Sequence, residues 1–487
     1  MAPPVKRFGV LFVITALLRA FDASAASIEE IQVKVSQYLK SRALRSAQWG
    51  IEVVDPTNNQ VILSINSEKT FTPASVVKVL TTATALEKLG PDFRYRTGAY
   101  TNGILQPDGT LTGNLILVGR GDPNLLNPAG DGPSTPAFED LAIKLKTSGV
   151  KNILGDIVGD DSYFDSTVQG KRWASDTEAF FGVPISALTV NNNVFWVQVR
   201  PTKYKQLVSV SLEPRSSYLR VRNVGVTGGK NSRRTLTARM IPGSRTIVVS
   251  GILPVSYASY GQHVLIVKPA EVAAAMLKDE LARQGITHRG SVDVLHDGDV
   301  SPEQKRKWTL LAEYESAPLV RSLQIINKSS QNLHAEMLLR TLGAEFRGVG
   351  TEEAGLQVVM EFLAQAGVET KGISLNDGSG LSRANLLTPR FQTSLLLFLS
   401  TRPHFDLFLS TLAVSGTDGT LRNRFASERG VIHAKTGTLS GVSSLSGYMT
   451  TKSGRNLVFS IFANFRTSVS RIRSTMDEIL RLFVSQY

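Results

Sequence analysis

Ser75 and Lys78 are the residues whose types and spacing point most directly to chemistry. They stand three positions apart within residues 72–78, and helical geometry would place both side chains on one face. A serine hydroxyl is a weak nucleophile until a base takes its proton, and burial lowers the pKa of a lysine so that its neutral amine can be that base. The pattern predicts a serine nucleophile for acyl transfer, with the positive end of a helix available to stabilise developing negative charge.

A buried helix is predicted to position this pair. Pro73 favours the first turn of a helix, and the apolar residues at 79–89 recur at helical spacing until Gly90 and Pro91 end the pattern. The same Ser-x-x-Lys pattern occurs again at 148–151. The pattern alone therefore does not assign a catalytic role, and the rest of the chain has to decide.

The first 25 residues have the features of a secretory signal peptide. Lys6 and Arg7 precede an apolar run at 8–18, and small residues at 23–25 offer a cleavage site. The run is shorter than a membrane-spanning helix requires, although an uncleaved anchor is the alternative. We expect residues 1–25 to be a signal peptide and the mature protein to lie in the periplasm or another extracytoplasmic part of the cell envelope.

The composition is that of a globular protein. With 487 residues, of which 42% are hydrophobic, the chain can form several domains with a large core. It has no cysteine and six scattered histidines, so no disulfide forms, and neither a metal site nor another cofactor is predicted.

The chain is strongly basic, with a formal net charge of +13. Removal of the signal segment would leave about +11, a surface that attracts polyanions. In the envelope these would be anionic lipid headgroups or wall polymers, and no nucleic acid partner is expected there. The alternative interpretation is that the charge serves solubility alone.

The chain has similar ends and a different middle. A predicted helix at 28–46 and a hairpin built from apolar runs at 48–54 and 61–65 precede the Ser75 helix. Residues 92–314 instead show short β-type runs between turn residues, with one helix at about 136–147.

After residue 315 helical patterns return, and the chain ends in a hairpin and a helix. The predicted elements of this block are helices at 317–325, 332–346, 351–367 and 390–401, strands at 443–450 and 456–464, and a helix at 470–484. We therefore predict an α+β fold in which 26–91 and 315–487 form one split catalytic domain around a shared sheet. Residues 92–314 would be an inserted β-rich region of two subdomains.

Two further short motifs lie after residue 315. A Ser-x-Asn motif at Ser330 and Asn332 opens a predicted helix, where the simplest role for Ser330 is to cap it. The run Lys435, Thr436, Gly437 occurs once, just ahead of the terminal strands. A lysine and a hydroxyl there could anchor a carboxylate while glycine lets a substrate backbone approach. The alternative for Lys435 is an edge-strand lysine before a turn.

In order and context, the three motifs resemble those of the penicillin-recognising serine acyltransferases. The chain is most similar to the class C low-molecular-mass penicillin-binding proteins, which are D-alanyl-D-alanine carboxypeptidases and endopeptidases. Supporting features are the runs at 377–385, 415–421 and 327–329 and the interval of about 250 residues between the first two motifs. The resemblance implies a transpeptidase domain like that of β-lactamases, an antiparallel sheet flanked by helices, with a large insertion.

The resemblance also implies a role for each catalytic residue. Ser75 would be the acylated nucleophile, Lys78 its proton acceptor, and Ser330 the group that relays a proton to the leaving amine. Asn332 would bond the substrate backbone and steady Lys78. The backbone N–H groups of Ser75 and Thr438 would form the oxyanion hole.

Further residues would hold the substrate, a peptidoglycan stem peptide. The residues assigned in this way are Lys435, Thr436, Gly437 and Thr438 at the terminal carboxylate, and Arg383, Asp160 and Phe164 at the free end of the third stem-peptide residue. The second group is the less distinctive, because Asp-rich turns and surface arginines are common in proteins.

We therefore predict a serine DD-peptidase that hydrolyses the D-Ala-D-Ala terminus of stem peptides, D-alanyl crosslinks, or both, through a Ser75 acyl-enzyme. β-Lactam antibiotics would be covalent inhibitors. One alternative is a β-lactamase, and another is a non-catalytic cell-wall-binding protein on the same fold. Stable labelling by penicillin, rapid turnover of penicillin, or no labelling would distinguish the three.

Overall fold

The structure is a computed structural model that describes residues 28–41, 44, 46–126, 137–166 and 183–487. The predicted signal peptide at 1–25 lies outside these ranges. Within them, no helix combines the length and the apolar character that crossing a bilayer requires.

Helices are concentrated at the beginning of the chain and after residue 315. The α-helices of the described ranges are α1 (Ile28–Lys40), α2 (Lys78–Leu89), α3 (Ala137–Thr147), α4 (Pro269–Arg283), α5 (Pro302–Lys305), α6 (Leu319–Lys328), α7 (Asn332–Arg347), α8 (Glu352–Gln365), α9 (Pro389–Ser400), α10 (Phe405–Thr411) and α11 (Val469–Gln486). Short 3-10 helices at Ala74–Val77, Asn191–Asn193, Gly419–Leu421 and Ala426–Glu428 supplement them.

Strands fill the middle of the chain and its C-terminal hairpins. They are β1 (Gln48–Asp55), β2 (Gln60–Ile65), β3 (Arg96–Thr101), β4 (Thr110–Leu111), β5 (Leu115–Val118), β6 (Asn152–Ile153), β7 (Ile157–Asp160), β8 (Val194–Arg200), β9 (Ser209–Glu213), β10 (Arg220–Asn223), β11 (Val226–Gly228), β12 (Thr237–Met240), β13 (Thr246–Ser250), β14 (Ile252–Pro254), β15 (Tyr260–Leu265), β16 (Thr287–His288), β17 (Val292–Leu295), β18 (Thr309–Glu315), β19 (Ala413–Val414), β20 (Ile432–Leu439), β21 (Val442–Thr450) and β22 (Asn456–Asn464).

A six-stranded antiparallel sheet joins the two ends of the chain. Its strand order is β19-β20-β21-β22-β1-β2, and the N-terminal hairpin joins through β1 and β22, where Ile51 lies opposite Ile461. Successive side chains of a strand point to opposite faces. Val458 and Phe462 accordingly pack into one core and Phe459 and Ile461 into another, so β22 is largely apolar because both of its faces are covered.

Helices cover the two faces of this sheet. Apolar residues of α2, α6, α7, α8 and α9 share the core that contains Val458, whereas α1 and α11 share the core that contains Phe459. The 3-10 helix that precedes α2 contacts β20. This contact brings the first and third sequence motifs to the same edge of the sheet.

Residues between α2 and α6 have a hydrophobic core of their own. It includes Phe138 of α3, Phe195 of β8 and Leu277 of α4. A five-stranded sheet of order β17-β7-β5-β3-β18 lies beside α3 and α4, and smaller sheets follow. The separate core supports our division into a split catalytic domain and an inserted region, which remains a proposal.

The prediction of a single helix in this middle region was wrong. The segment Pro269–Arg283 forms α4, whose buried face includes Ala270, Ala273 and Ala274. A Cβ on Gly159 of β7 would lie only 2.5 Å from the carbonyl oxygen of Ala270, so small residues allow close helix–strand packing. Those alanines lack the large apolar side chains by which helical spacing is recognised.

Other element predictions are confirmed or corrected at their ends. The helix predicted at about 136–147 is α3, and the strand predicted at 456–464 is β22. The helix predicted at 28–46 ends at Lys40. The short helix α10 was not predicted; its seven residues are too few to show a helical repeat.

Candidate active site

The serine–lysine pair lies where the chain enters α2. Ala74–Val77 form a 3-10 helix that continues directly into α2. Ser75 is half-buried and the Lys78 side chain is fully buried. The Nζ of Lys78 lies 3.1 Å from Ser75 Oγ, 2.7 Å from Asn332 Oδ1 and 2.5 Å from the Ser379 carbonyl oxygen. The structure thus brings Ser75, Lys78 and Asn332 together from distant parts of the sequence.

The partners of Lys78 determine how its neutral form would face Ser75. A lysine ammonium has three donors, and three acceptors surround this one. The neutral amine keeps two N–H groups, which the oxygens of Asn332 and Ser379 can accept. Its lone pair is then left for the Ser75 hydroxyl, the one partner of the three that can donate.

Burial makes Lys78 a base of suitable strength. Removal from water lowers the pKa of Lys78 to about 7, although the carboxylates of Asp377 and Glu336 oppose that shift. A large fraction of the amine is therefore neutral at neutral pH, as a general base requires.

Ser330 and Lys435 form a second polar pair. Lys435 Nζ donates to Ser330 Oγ at 2.9 Å and to the Thr436 carbonyl oxygen at 2.8 Å. Burial and the charge of Lys78 lower the pKa of Lys435 well below its ordinary value. Ser330 is not the cap of α7, because Gln331 occupies that position. Ser330 has a left-handed backbone, with φ of 59°.

Lys435 precedes the two predicted terminal strands, as expected, but it lies inside a strand that was not predicted. This strand is β20, which begins at Ile432 and pairs with β21 on one side and with the two-residue β19 on the other. The Lys435 side chain is fully buried, so it does not have the exposure of an edge-strand lysine. The strand was not predicted because its apolar pattern is interrupted by the polar and glycine residues Lys435, Thr436 and Gly437.

One cleft of about 620 Å³ collects most of the predicted site residues. Those that line it are Ser75, Ser330, Asn332, Arg383, Thr436, Gly437 and Thr438. Gly437 permits close packing here, because a Cβ at that position would lie 2.7 Å from the Pro73 carbonyl oxygen and 3.0 Å from the Ser75 nitrogen. The three sequence motifs therefore share one surface.

The comparisons with known proteins agree with this geometry. The D-Ala-D-Ala carboxypeptidase 3 (S13) family matches residues 31–482. The chain belongs to this family. It is therefore a serine-type D-Ala-D-Ala carboxypeptidase, and the resemblance noted from the sequence is confirmed. As an enzyme of cell-wall peptidase type, it acts outside the cytoplasm.

Individual relatives cover nearly the whole of this S13 chain. The D-alanyl-D-alanine carboxypeptidase of Actinomadura sp. (strain R39) is 36% identical over 457 residues, covering 91% of this chain and 82% of that protein. The carboxypeptidase DacB of Haemophilus influenzae is 28% identical over 414 residues, with 83% of each chain covered. The crystal structure of penicillin-binding protein 4 (dacB) from H. influenzae has a TM-score of 0.77 and 26% identity, and covers 93% of this chain and 99% of its own. The predicted fold class is confirmed.

Two predicted substrate residues of this S13 enzyme do not line the cleft. Asp160 is buried, forms an ion pair with Lys305 at 2.9 Å, and accepts a hydrogen bond from the Ser162 N–H. Phe164 is also buried and belongs to a small hydrophobic cluster with Leu333. The structure therefore does not bring either side chain into the cleft.

Two residues of this S13 enzyme that sequence reasoning missed extend the cleft wall. Arg473 of α11 donates from Nη2 to Thr438 Oγ1 at 2.8 Å, and Thr436 donates to Thr420 Oγ1 at 2.8 Å. Arg473 and Thr420 both line the cleft. They lie 35 and 16 residues from their partners. Thr420 stands in the run 415–421 noted from the sequence, but that run assigned it no role, and no local pattern marks Arg473.

A buried carboxylate pair supports the serine–lysine contact and was also missed. Glu336 accepts from the backbone N–H of Ser379 at 2.9 Å, and Asp377 accepts from those of Gly380 and Ser382 at 2.7 and 2.6 Å. Burial and the charge of Asp377 raise the pKa of Glu336 to about 8. These bonds hold the loop whose Ser379 carbonyl contacts Lys78.

One sequence signal could have revealed the Glu336 site. Asn332, Glu336 and Arg340 recur every four residues along α7 and are all buried. A line of polar residues along one face of an otherwise apolar helix indicates a buried polar cluster rather than a solvated surface.

The loop approaches the backbone at Ser75 closely at Gly380, which yields a first prediction. Gly380 has φ of 83°, and a Cβ there would lie 2.0 Å from the Ala74 carbonyl oxygen and 2.9 Å from the Ser75 nitrogen. Gly380→Ala must therefore displace the start of the 3-10 helix. We expect penicillin acylation to slow at least about tenfold, together with a loss of about 1–3 kcal/mol in unfolding free energy.

Gly372→Ala is the matched control. Gly372 also has a positive φ, 77°, but a Cβ there would meet nothing within 4 Å. It should lose some stability from backbone strain and keep the wild-type acylation rate. Stopped-flow labelling and denaturant unfolding would measure both quantities. Equal acylation rates in the two variants would contradict the proposed contact.

Proposed function

We propose that this S13 enzyme cleaves D-alanyl peptides through an ester on Ser75, with Lys78 as general base. The observation that carries this proposal is the contact between a fully buried amine and the Ser75 hydroxyl. Lys78 takes the proton, and Ser75 Oγ attacks the carbonyl carbon of the penultimate D-alanine. The C–N bond then breaks as the ester remains on the enzyme. The N–H groups of Ser75 and Thr438 stabilise the oxyanion.

Ser330 is the proposed proton source for the departing amine. Its hydroxyl lines the cleft and is held by the Lys435 amine. Ser330 gives its proton to the amine nitrogen as the C–N bond breaks and takes a proton from the adjoining Lys435 ammonium, and the proton that Lys78 took from Ser75 returns to Lys435 through solvent in the cleft, so both lysines regain their starting states. Water then attacks the ester and gives its proton to Lys78, which passes it to Ser75 Oγ as the ester bond breaks.

The terminal carboxylate of the substrate is proposed to lie against β20. Thr436 and Thr438 present hydroxyl groups to the cleft, and Arg473 adds a guanidinium beside Thr438. The Lys435 amine is fully buried, so its charge would attract the carboxylate from beneath the surface of the cleft. Arg383 lines the same cleft and remains our candidate for the free end of the stem peptide.

Peptidoglycan stem peptides are the proposed substrates, and β-lactams the proposed covalent inhibitors. The solved complex of H. influenzae penicillin-binding protein 4 with a β-lactam, at a TM-score of 0.72, supports the second point. We place the enzyme in the periplasm or the equivalent envelope space, where its surface charge of about +11 favours peripheral contact with anionic lipids or wall polymers. No nucleic acid, metal or cofactor has a role in this proposal.

Digestion of purified monomeric and crosslinked muropeptides tests the reaction. We expect loss of one D-alanine from pentapeptides, conversion of D-alanyl-crosslinked dimers to monomers, and stable attachment of fluorescent penicillin to the peptide that contains Ser75. A folded enzyme that neither cleaves nor is labelled would overturn the proposal. Rapid release of hydrolysed penicillin would identify a β-lactamase instead.

The pH dependence of acylation is a second prediction. The pKa of Lys78 is lowered to about 7 by burial, so its ammonium predominates below that pH and cannot accept a proton. The second-order rate constant for penicillin acylation should fall about tenfold per pH unit below pH 7 and level off above it. Rates measured from about pH 5.5 to about 8.5 would show this bend, and a flat profile would contradict the role of Lys78.

A further inference from the structure

The positive charge of the chain is concentrated between β8 and β15. Residues 194–265 contain eleven lysines and arginines and a single acidic residue, Glu213. The whole chain has a formal net charge of +13, so most of the excess comes from this one stretch. A charged surface attracts partners of the opposite sign most strongly where its charges are clustered. This part of the molecule is therefore the place to look for an anionic partner.

Three turns of this stretch meet beyond the ends of β11 and β14. These strands are parallel neighbours, so the segments that follow them leave the same end of the pair. The Ser256 hydroxyl donates to the Lys230 carbonyl oxygen at 3.0 Å, which joins the two segments. A third turn lies beside them, because the Lys205 N–H donates to the carbonyl oxygen of Thr227 in β11 at 2.9 Å. We call these turns together the loop tip, residues 203–205, 229–233 and 255–257.

The loop tip exposes large apolar side chains. Tyr204 is 60% exposed, Val255 45% and Tyr257 41%, and Leu207, next to the tip, is 55% exposed. Tyr204 lies beside the second turn, since a Cβ on Gly229 would be 3.7 Å from its ring. Single exposed apolar residues are ordinary, but a group of them on adjoining turns is typical of an interaction surface.

The same turns carry cations that no carboxylate neutralises. Lys203, Lys230 and Arg233 are exposed and form no ion pair within the described residues. The Lys205 amine lies 5.3 Å from the centre of the Tyr204 ring, a distance at which a cation and an aromatic face attract each other. Positive charge and apolar surface are thus presented to solvent side by side.

This combination fits the interface of an anionic bilayer. Tyrosine and aliphatic side chains are stable among lipid headgroups, and lysine and arginine are attracted to anionic lipids there. A phosphate-bearing wall polymer would use the cations alone and leave the apolar side chains in water. The observations therefore favour a membrane. No residue of the loop tip lines the catalytic cleft, so docking and catalysis use different surfaces.

We infer that the loop tip docks this enzyme peripherally on an anionic phospholipid membrane, with Tyr204, Val255 and Tyr257 among the headgroups and the tip cations at the lipid phosphates. The inference deepens the peripheral contact of the proposed function and rests on its envelope location. Because much of the attraction is between charges, the contact is reversible and weakens as salt is added. Docking would hold the catalytic cleft near the peptidoglycan that borders that membrane.

Vesicle cosedimentation of a charge variant tests the inference. The probes are vesicles of phosphatidylglycerol mixed with phosphatidylcholine, and vesicles of phosphatidylcholine alone. We expect the wild type to bind the anionic vesicles and not the neutral ones. Lys203→Gln/Lys205→Gln/Lys230→Gln should bind the anionic vesicles about 100-fold more weakly, since each cation at an anionic surface contributes about a factor of five.

A second variant tests the apolar half of the loop tip. Tyr204→Ser/Tyr257→Ser should bind the anionic vesicles about tenfold more weakly, because two rings no longer leave water. Salt screens charges but not apolar burial, so this loss should persist at high salt. Wild-type binding by this variant would show a purely electrostatic contact and overturn the inference.

Arg220→Gln/Arg222→Gln/Arg239→Gln is the matched control, because it removes the same charge from the same stretch. All three arginines are exposed on the sheet β10-β13-β12, where Arg222 and Arg239 flank Val248. Arg222 precedes the end of β11 by roughly 20 Å of extended chain. The control should bind anionic vesicles within about threefold of wild type, since that distance exceeds the screening length.

Several results would contradict membrane docking by the loop tip. They are equal binding of the wild type to neutral and anionic vesicles, wild-type binding by the lysine variant, and a loss in the arginine control as large as in the lysine variant. Binding of soluble polyglycerol phosphate without binding of vesicles would assign the tip to a wall polymer instead. Penicillin should acylate every variant at the wild-type rate. Failure of the proposed function would differ, because penicillin would then label neither the wild type nor any variant.

Discussion

Ser75→Ala should give a folded protein that forms no covalent adduct with penicillin and hydrolyses stem peptides at least about 10⁴-fold more slowly. The reason is that the substitution removes the atom on which the acyl group would form. Because Ser75 is half-buried and its Oγ contacts the Lys78 amine, the unfolding free energy should change by no more than about 1 kcal/mol. Mass spectrometry of the penicillin-treated protein and a thermal melt would measure the two effects.

The chain contains its own control for this experiment. Ser148 and Lys151 repeat the Ser-x-x-Lys pattern, but both are exposed at the end of α3, where the Ser148 hydroxyl donates to the Leu145 carbonyl oxygen at 2.8 Å. Ser148→Ala should be acylated like the wild type. An adduct that persists in Ser75→Ala would move the nucleophile to another residue.

Comparison of these two copies shows how far a sequence pattern can lead. The spacing of Ser75 and Lys78 predicted that they lie on one face, and they do so because adjacent turns of a helix are local geometry. The pattern does not contain the burial of Lys78, which arises from α7 and the loop at Ser379, more than 250 residues away. The burial that would make Lys78 a base therefore depends on packing between distant parts of the chain. In the sequence, only the combination of the three motifs indicated that packing.

The failures have the same physical origin. Glu336 and Asp377 accept hydrogen bonds from backbone N–H groups of a loop. The sequence alone does not distinguish a buried carboxylate from a solvated one. Asp160 and Phe164 were assigned to the substrate site by resemblance. In the structure Asp160 forms an ion pair with Lys305, and Phe164 belongs to a hydrophobic cluster. In each case the partner is set by the tertiary fold and not by neighbours in sequence.

Lys78→Met tests which of the two buried lysines, Lys78 or Lys435, is the general base. Methionine fills a similar volume and removes the amine, so acylation should slow by about 10³–10⁴-fold. The bend near pH 7 should vanish with it, because the group whose pKa burial lowers to about 7 is gone. Acylation rates across pH, followed by intact-protein mass, would measure both effects.

The fold should survive this change, which makes the result interpretable. Loss of the amine leaves the oxygens of Asn332 and Ser379 without that donor, at about 1 kcal/mol each, while it also relieves the cost of burying a cation. Lys151→Met, at an exposed position, controls for loss of charge. If Lys435 were the base, Lys78→Met would keep a pH-dependent acylation of near wild-type rate. The contacts argue against that, because Lys435 Nζ faces Ser330 Oγ and the Thr436 carbonyl, whereas Lys78 Nζ contacts the Ser75 oxygen itself.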